Sequence, residues 1–102
     1  MNQAQLMAQV KKMQAEMTKA QEELANTVVT GSAAGGIVSV EATCDQRVKS
    51  VRIAKEAVDP DDLETLEDLV VVAINDALSK STEASQKRMS SLTGGMRIPG
   101  LM

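Results

Sequence analysis

The sequence predicts an α+β fold: a long N-terminal helix, a three-stranded antiparallel sheet and a long C-terminal helix, α-β-β-β-α. Three observations predict it. Residues 2–26 contain neither Gly nor Pro and carry apolar side chains at alternating steps of four and three. Residues 27–53 change to a two-residue period that is broken twice by turn-forming residues. From Pro60 the helical period returns in a run about 48 Å long at ~1.5 Å per residue, more than one short sheet can cover.

The first helix, about 2–26, is rich in Gln, Ala, Met, Lys and Glu, all good helix formers. Leu6, Val10, Met13, Met17, Ala20 and Leu24 fall on one stripe, nearly a coiled-coil seam. Lys11, Lys12, Glu16, Lys19, Glu22 and Glu23 lie on or beside the wet faces. Such a helix is about 38 Å long. Part of its stripe is therefore expected to face a second long helix or a second subunit.

Strands are expected at about 27–31, 37–43 and 47–53, joined as an antiparallel meander with breaks at Gly35-Gly36 and Cys44-Asp45-Gln46. Val38, Val40 and Ala42 alternate with Ile37, Ser39, Glu41 and Thr43, the pattern of a half-buried strand. Val51 and Ile53 share a face and Val48 falls out of phase with them, as a bulge would produce. The stretch "GSAAGG" has the glycines of a phosphate cradle but not the Lys-Ser/Thr pair that a Walker loop needs, and reads as a hairpin tip.

The last helix is expected over about 60–91. Asp59 suits the cap, Pro60 the first helical position, and Asp62 answers the positive helix end. Leu63, Leu66, Val70, Ala73, Ile74, Ala77 and Leu78 recur at steps of three and four. The β-branched residues at 70–72 and 74 cost tenths of a kcal/mol each in helix propensity. Burial of one such side chain contributes ~1.5–3 kcal/mol, so helix prevails over strand. Leu66, Val70 and Ala73 are expected to cover one side of the meander, with Val71, Val72 and Asn75 widening the apolar arc. The polar half from Ser79 to Ser91 is expected to project beyond the sheet and pair with the first helix. Residues 93–102 are expected to form a flexible tail, with Gly94-Gly95 ending the helix.

A chain of 102 residues is most simply one domain, and its composition narrows the function. The absence of Phe, Tyr and Trp removes aromatic stacking of bases. With no His and a single Cys44, neither an intrachain disulfide nor a zinc cluster can form. Cys44 has only Asp45 beside it, which does not activate a thiol. The acidic pairs between 56 and 68 are read as caps and dipole partners of a helix start, not as a metal site. No enzyme, cofactor or metal is expected. The sequence has no run of ~20 apolar residues to cross a membrane and no secretory signal at its start, so a cytoplasmic location is expected.

The net charge of −3 hides a segregated pattern. Residues 56–76 hold eight acids and no base; residues 77–102 hold Lys80, Lys87, Arg88 and Arg97 against Glu83; residues 27–55 hold four bases against two acids. A cationic surface can therefore form from the first helix, the far half of the last and the tail. The candidate DNA contacts are Lys11, Lys12, Lys19, Lys80, Lys87, Arg88 and Arg97. Val10, Met13, Met17, Leu66, Val70, Ala73, Ile74 and Ala77 are the candidate core and dimer-interface residues. The pI of 4.9 argues against indiscriminate polyanion binding.

Several stretches together resemble the YbaB/EbfC family of bacterial nucleoid-associated proteins: "LMAQVKKMQAEMTKAQEEL", "VTGSAAGGIVSVEAT", "LEDLVVVAINDALSKS" with Asn75, Asp76 and Ala77, and the terminal "GGMRIPGL". They span nearly the whole chain in the family's order. The resemblance implies a helix–sheet–helix subunit, intertwined homodimers likened to tweezers, double-stranded DNA as the partner, and a role in nucleoid organisation and gene expression. It also implies that projecting helices contact the DNA. The chain departs from relatives at "CDQ", residues 44–46, and in the longer "IAKEAVDPDD" connection. The alternative is a protein-interaction module, in which the Gly-rich hairpin, Met-rich stripe and tail form an adaptable docking surface.

Overall fold

In the computed structural model, which describes residues 2–93, the chain runs α1 (Gln3–Ala25), β1 (Val28–Ala33), β2 (Val38–Thr43), β3 (Arg47–Ile53) and α2 (Leu63–Thr93), with short 3-10 turns at Ala34–Gly36 and Lys55–Ala57. The strands form one antiparallel sheet in the order β1-β2-β3. This is the α-β-β-β-α order expected. Helix α2 runs to Thr93, past the expected 91, and the rest of the expected tail, 94–102 with Arg97, lies outside the described residues.

Each boundary has a local cause. Asn2 and Gln5 form a capping box: the Gln5 N–H donates to Asn2 Oδ1 at 2.7 Å, and the Asn2 N–H to Gln5 Oε1 at 3.3 Å. The β1–β2 tip is confined to Ala34–Gly36, where φ is 51°, 73° and 96° in turn. Two glycines there accommodate the left-handed backbone without a Cβ clash. The tip is thus shorter than "GSAAGG": Gly31, Ser32 and Ala33 belong to β1, which ends two residues beyond the expected 31.

The start of α2 also differs from the expected residue 60. Asp59 organises a separate turn, accepting the Asp61 N–H on its Oδ1 at 2.9 Å, and Pro60 sits in that turn. Asp62 caps the helix instead: its carboxylate accepts the Thr65 N–H at 3.2 Å and the Thr65 hydroxyl at 2.6 Å. These bonds hold the Asp62 carboxyl below its ordinary pKa.

The core lies between α2 and the first two strands. Ala33, Val38, Val40, Ala42, Ala73 and Ala77 are buried, with Leu66, Leu69, Val70, Ile74 and Leu78 half-buried around them. Ala73, Ala77 and Ser81, one turn apart, face β1 and β2 and are fully buried. Gly31 lets the helix come this close. A Cβ built on it lies 2.6 Å from the Ala73 carbonyl oxygen and 2.6 Å from Ala77 Cα, and nearer still to the Ala77 nitrogen.

Helix α2 covers β1 and β2 and hardly touches β3. A register shift between Glu41 and Ala42 leaves Lys49 as the extra residue on β3, the bulge that Val48 requires. Beyond it Val51 stands opposite Val40 and Ile53 opposite Val38, on the core face of the sheet. Yet Val48, Val51 and Ile53 remain 44%, 42% and 43% exposed. The apolar face of the sheet continues past the helix that covers it.

The two helices meet only near the end of α1, not along the whole of Ser79–Ser91 as expected. Ala20 and Leu24 are buried, and Glu23, Leu24 and Thr27 face Ala84, Lys87, Arg88 and Ser91 across a shallow cleft of about 350 Å³. Most of the rest of the α1 stripe has no cover within the described chain. Leu6, Val10 and Met17 are exposed, at 53%, 46% and 45%, and Met13 is half-buried.

Candidate nucleic-acid interface

Polar side chains first fix α2 on the sheet. The Ser32 N–H donates to Asp76 Oδ2 at 2.9 Å, and Lys80 Nζ donates to the Thr30 carbonyl at 3.1 Å while pairing with Asp76 at 3.2 Å. Asp76 and Lys80, i and i+4 on one helix face, thus bond to outward-pointing groups of the β1 edge. The Ser32 N–H and the Lys80 ammonium hold the Asp76 carboxyl below its ordinary pKa. At the other end of the sheet, Gln46 Nε2 donates to Ser81 Oγ and Thr82 Oγ1, each at 2.8 Å, and the Ser81 hydroxyl donates to the Thr43 carbonyl at 2.8 Å. These bonds hold Gln46 at φ 70°, where "CDQ" has no glycine.

The expected cations divide by what they touch. Lys11, Lys12 and Lys19 on α1 and Lys87 on α2 are exposed, with no ion-pair partner among the described residues. Lys80 bridges Asp76 and Thr30. Arg88 is half-buried, its Nε 3.0 Å from Glu23 Oε2 and its guanidinium donating to Ser91 Oγ at 3.2 Å. Arg88 therefore ties α2 to α1 before it meets any ligand.

The expected interface residues divide too. Ala73 and Ala77 are buried inside the subunit against β1. Leu66, Val70 and Ile74 flank that core with part of their surface open, and Val10 and Met17 lie bare on α1. Val71 and Val72, 55% and 54% exposed, continue the open apolar surface along α2.

The four bases of residues 27–55 carry no role in the sequence reading. They are Arg47, Lys49 and Arg52 on β3 and Lys55 just after it, all exposed and without an ion pair among the described residues. Their signal in the sequence is the alternation of base and apolar residue through "RVKSVRIAK". Cys44 is buried, and burial, with the adjacent Asp45 charge, pushes its thiol up, away from the reactive thiolate. Among the described residues no group of carboxylates, Cys or His could hold a metal ion, and no helix is long and apolar enough to cross a membrane.

Comparison with known proteins agrees with this architecture. The model of the YbaB/EbfC DNA-binding family matches residues 1–96. A nucleoid-associated protein of Desulforamulus reducens is 52% identical over 100 residues, covering 98% of this chain and 95% of the relative. One from Chloroflexus aurantiacus is 50% identical over 97 residues, covering 95% and 97%. The crystal structure of an uncharacterized protein from Helicobacter pylori superposes with a TM-score of 0.71 at 23% identity, over 94% of this chain and 97% of that one; it shows the same fold.

Proposed function

The chain belongs to the YbaB/EbfC DNA-binding family, and from that premise we propose that it is a non-enzymatic, nucleoid-associated protein whose homodimer holds duplex DNA mainly by its phosphates. The observation that carries the dimer is the uncovered apolar surface. The α1 stripe at Leu6, Val10 and Met17, the β3 residues Val48, Val51 and Ile53, and Val71 and Val72 on α2 are all open in a single subunit. Scattered exposed apolar residues are ordinary, but three separate runs, on α1, β3 and α2, support an association surface. A second copy is its occupant, because the same patch on both subunits is self-complementary about a two-fold axis.

Dimerisation doubles every cation. Lys11, Lys12, Lys19 and Lys87 lie on helices that extend beyond the sheet, where two copies offer two arms to a duplex. Lysine side chains on such arms contact phosphate, which positions a protein without reading bases. Weak sequence preference, a nucleoid location and an effect on gene expression through DNA architecture follow from that mode.

Fluorescence anisotropy with a labelled duplex tests the proposal. A dimer engaging six to ten phosphates should lose about 10³–10⁵ in affinity between about 50 and 200 mM salt. Absence of binding at the lower salt, by protein shown to be folded and dimeric, overturns it. Arg88 gives a finer measurement. The Glu23→Gln substitution removes the carboxylate that holds Arg88, at a cost of about 1 kcal/mol or less for an exposed pair. If the released guanidinium of each subunit neutralises one more phosphate, affinity of the dimer should rise up to about 60-fold at 0.1 M salt. Unchanged affinity excludes Arg88 from the DNA-contacting set.

A further inference from the structure

We propose that β3 is a second phosphate-binding element, in which Arg47, Lys49, Arg52 and Lys55 engage the DNA backbone alongside the helices; the inference rests on the DNA-binding reading above. Four features of the strand support it.

The first is that its cations form no ion pair among the described residues, while the two acids of residues 27–55 each accept a hydroxyl. Glu41 and Asp45 are the carboxylates of residues 27–55. Glu41 Oε1 accepts the Ser50 hydroxyl at 2.8 Å, and Asp45 accepts the Thr43 hydroxyl. Neither forms an ion pair with Arg47, Lys49, Arg52 or Lys55. By contrast Lys80 and Arg88, which the charge pattern favours, are each already paired within the chain.

The second feature is direction. Arg47 stands opposite Thr43 and Arg52 opposite Ser39, so both lie on the sheet face away from α2. Counted along β2 they are four residues apart, about 14 Å at ~3.4 Å per residue. One DNA strand presents a charge every ~3.4 Å of helix axis, so this spacing spans several phosphates. The bulge at Lys49 keeps Val48 on the opposite, apolar face, so basic and apolar functions occupy different sides of one strand.

Third, the same face carries the hydroxyls of Ser39 and, beyond it, Thr30 and Ser32; Glu41 shares that face and already takes the Ser50 hydroxyl, as Asp45 takes that of Thr43. Serine and threonine hydroxyls are ordinary phosphate ligands. Finally, β3 is an edge strand, so its outer backbone N–H groups have no strand partner and can donate to phosphate as well. A charged edge also discourages strand-to-strand aggregation, but that role needs no unpaired arginine on the open face. Because α1 ends beside β3, with Ala25 and Asn26 lining the same cleft as Arg47 and Lys49, the strand cations continue the surface of the α1 arm.

The test compares the slope of log affinity against log salt for four dimers: the parent, K11Q/K12Q/K19Q, R47Q/K49Q/R52Q/K55Q and R47K/R52K. The strand variant should lower the slope by at least about 1.8, one phosphate lost per subunit at ~0.9 each, which is about 60-fold or more in affinity at 0.1 M salt. R47K/R52K should stay within about threefold of the parent, because phosphate contact needs the charge more than the guanidinium. All variants should keep the parent's melting temperature and sedimentation coefficient. A strand variant with the parent's slope overturns the inference and leaves the helix reading standing. One that dissociates to single subunits also overturns it, and assigns these bases to the subunit interface. A parent that does not bind removes the DNA reading and this inference together, a result distinguishable from either of the others.

Discussion

The Gly31→Ala substitution should destabilise the fold by about 3 kcal/mol or more, at the upper end of overpacking costs. Alanine is a small replacement, and on most strands it would be benign or helpful. At this position the added methyl falls within 2.6 Å of the Ala73 oxygen and Ala77 Cα. Both are backbone atoms of a helix, which cannot rotate aside as a side chain would. The helix must therefore lift from β1, stretching the Ser32–Asp76 and Lys80–Thr30 bonds and loosening the packing of Val38 and Val40 beneath it. At ~4–8 °C per kcal/mol for a domain of this size, the melting temperature should fall by at least about 12 °C. Thermal denaturation by circular dichroism reads this directly; a fall of less than a few degrees would mean that α2 does not sit where Gly31 admits it.

The Val51→Asp substitution should leave the subunit's own packing intact yet raise the dimer dissociation constant at least about 10³-fold. Val51 is 42% exposed in the single chain, so a carboxylate there can still reach water when the subunit stands alone. In a dimer whose partner covers the apolar face of β3, the same carboxylate is buried twice, on the face of Val40, Val48 and Ile53. An unpaired buried charge costs several kcal/mol, and every 1.4 kcal/mol is a factor of ten in the constant. Sedimentation velocity across a concentration series measures the effect. A dimer as tight as the parent's would show that Val51 lies outside the interface and that α1 and α2 supply the contact instead.

Much of this architecture is legible in the residues because it follows local rules. The three-and-four spacing of Leu66, Val70, Ala73, Ile74 and Ala77 overrides the β-branching of Val70–Val72, and the phase slip of Val48 announces the bulge. What the residues alone do not reveal depends on contacts between elements. The α2 start shifts because Asp59 and Asp62 are both competent caps, and only the fold shows that Asp59 holds a turn while Thr65 answers Asp62. Gly31 reads as a loop residue until a helix is seen against it. For the candidate site the missing information is pairing. Charge counts rank Lys80 and Arg88 with Lys87, yet one bonds a strand edge and another joins two helices. The bases of β3, evenly mixed with valines, show no run to draw the eye, although none is neutralised among the described residues.

The side chains of Asp76 and Lys80 lie along one margin of the sheet and occupy its outward amide and carbonyl at Ser32 and Thr30. No further strand can be added on that side without displacing them, so the sheet has a single margin open to recruitment. A chain with one joining margin cannot propagate head to tail into a fibre. Whatever takes the open margin, the far side offers the next chain nothing to join, and growth by strand addition halts after one step by construction.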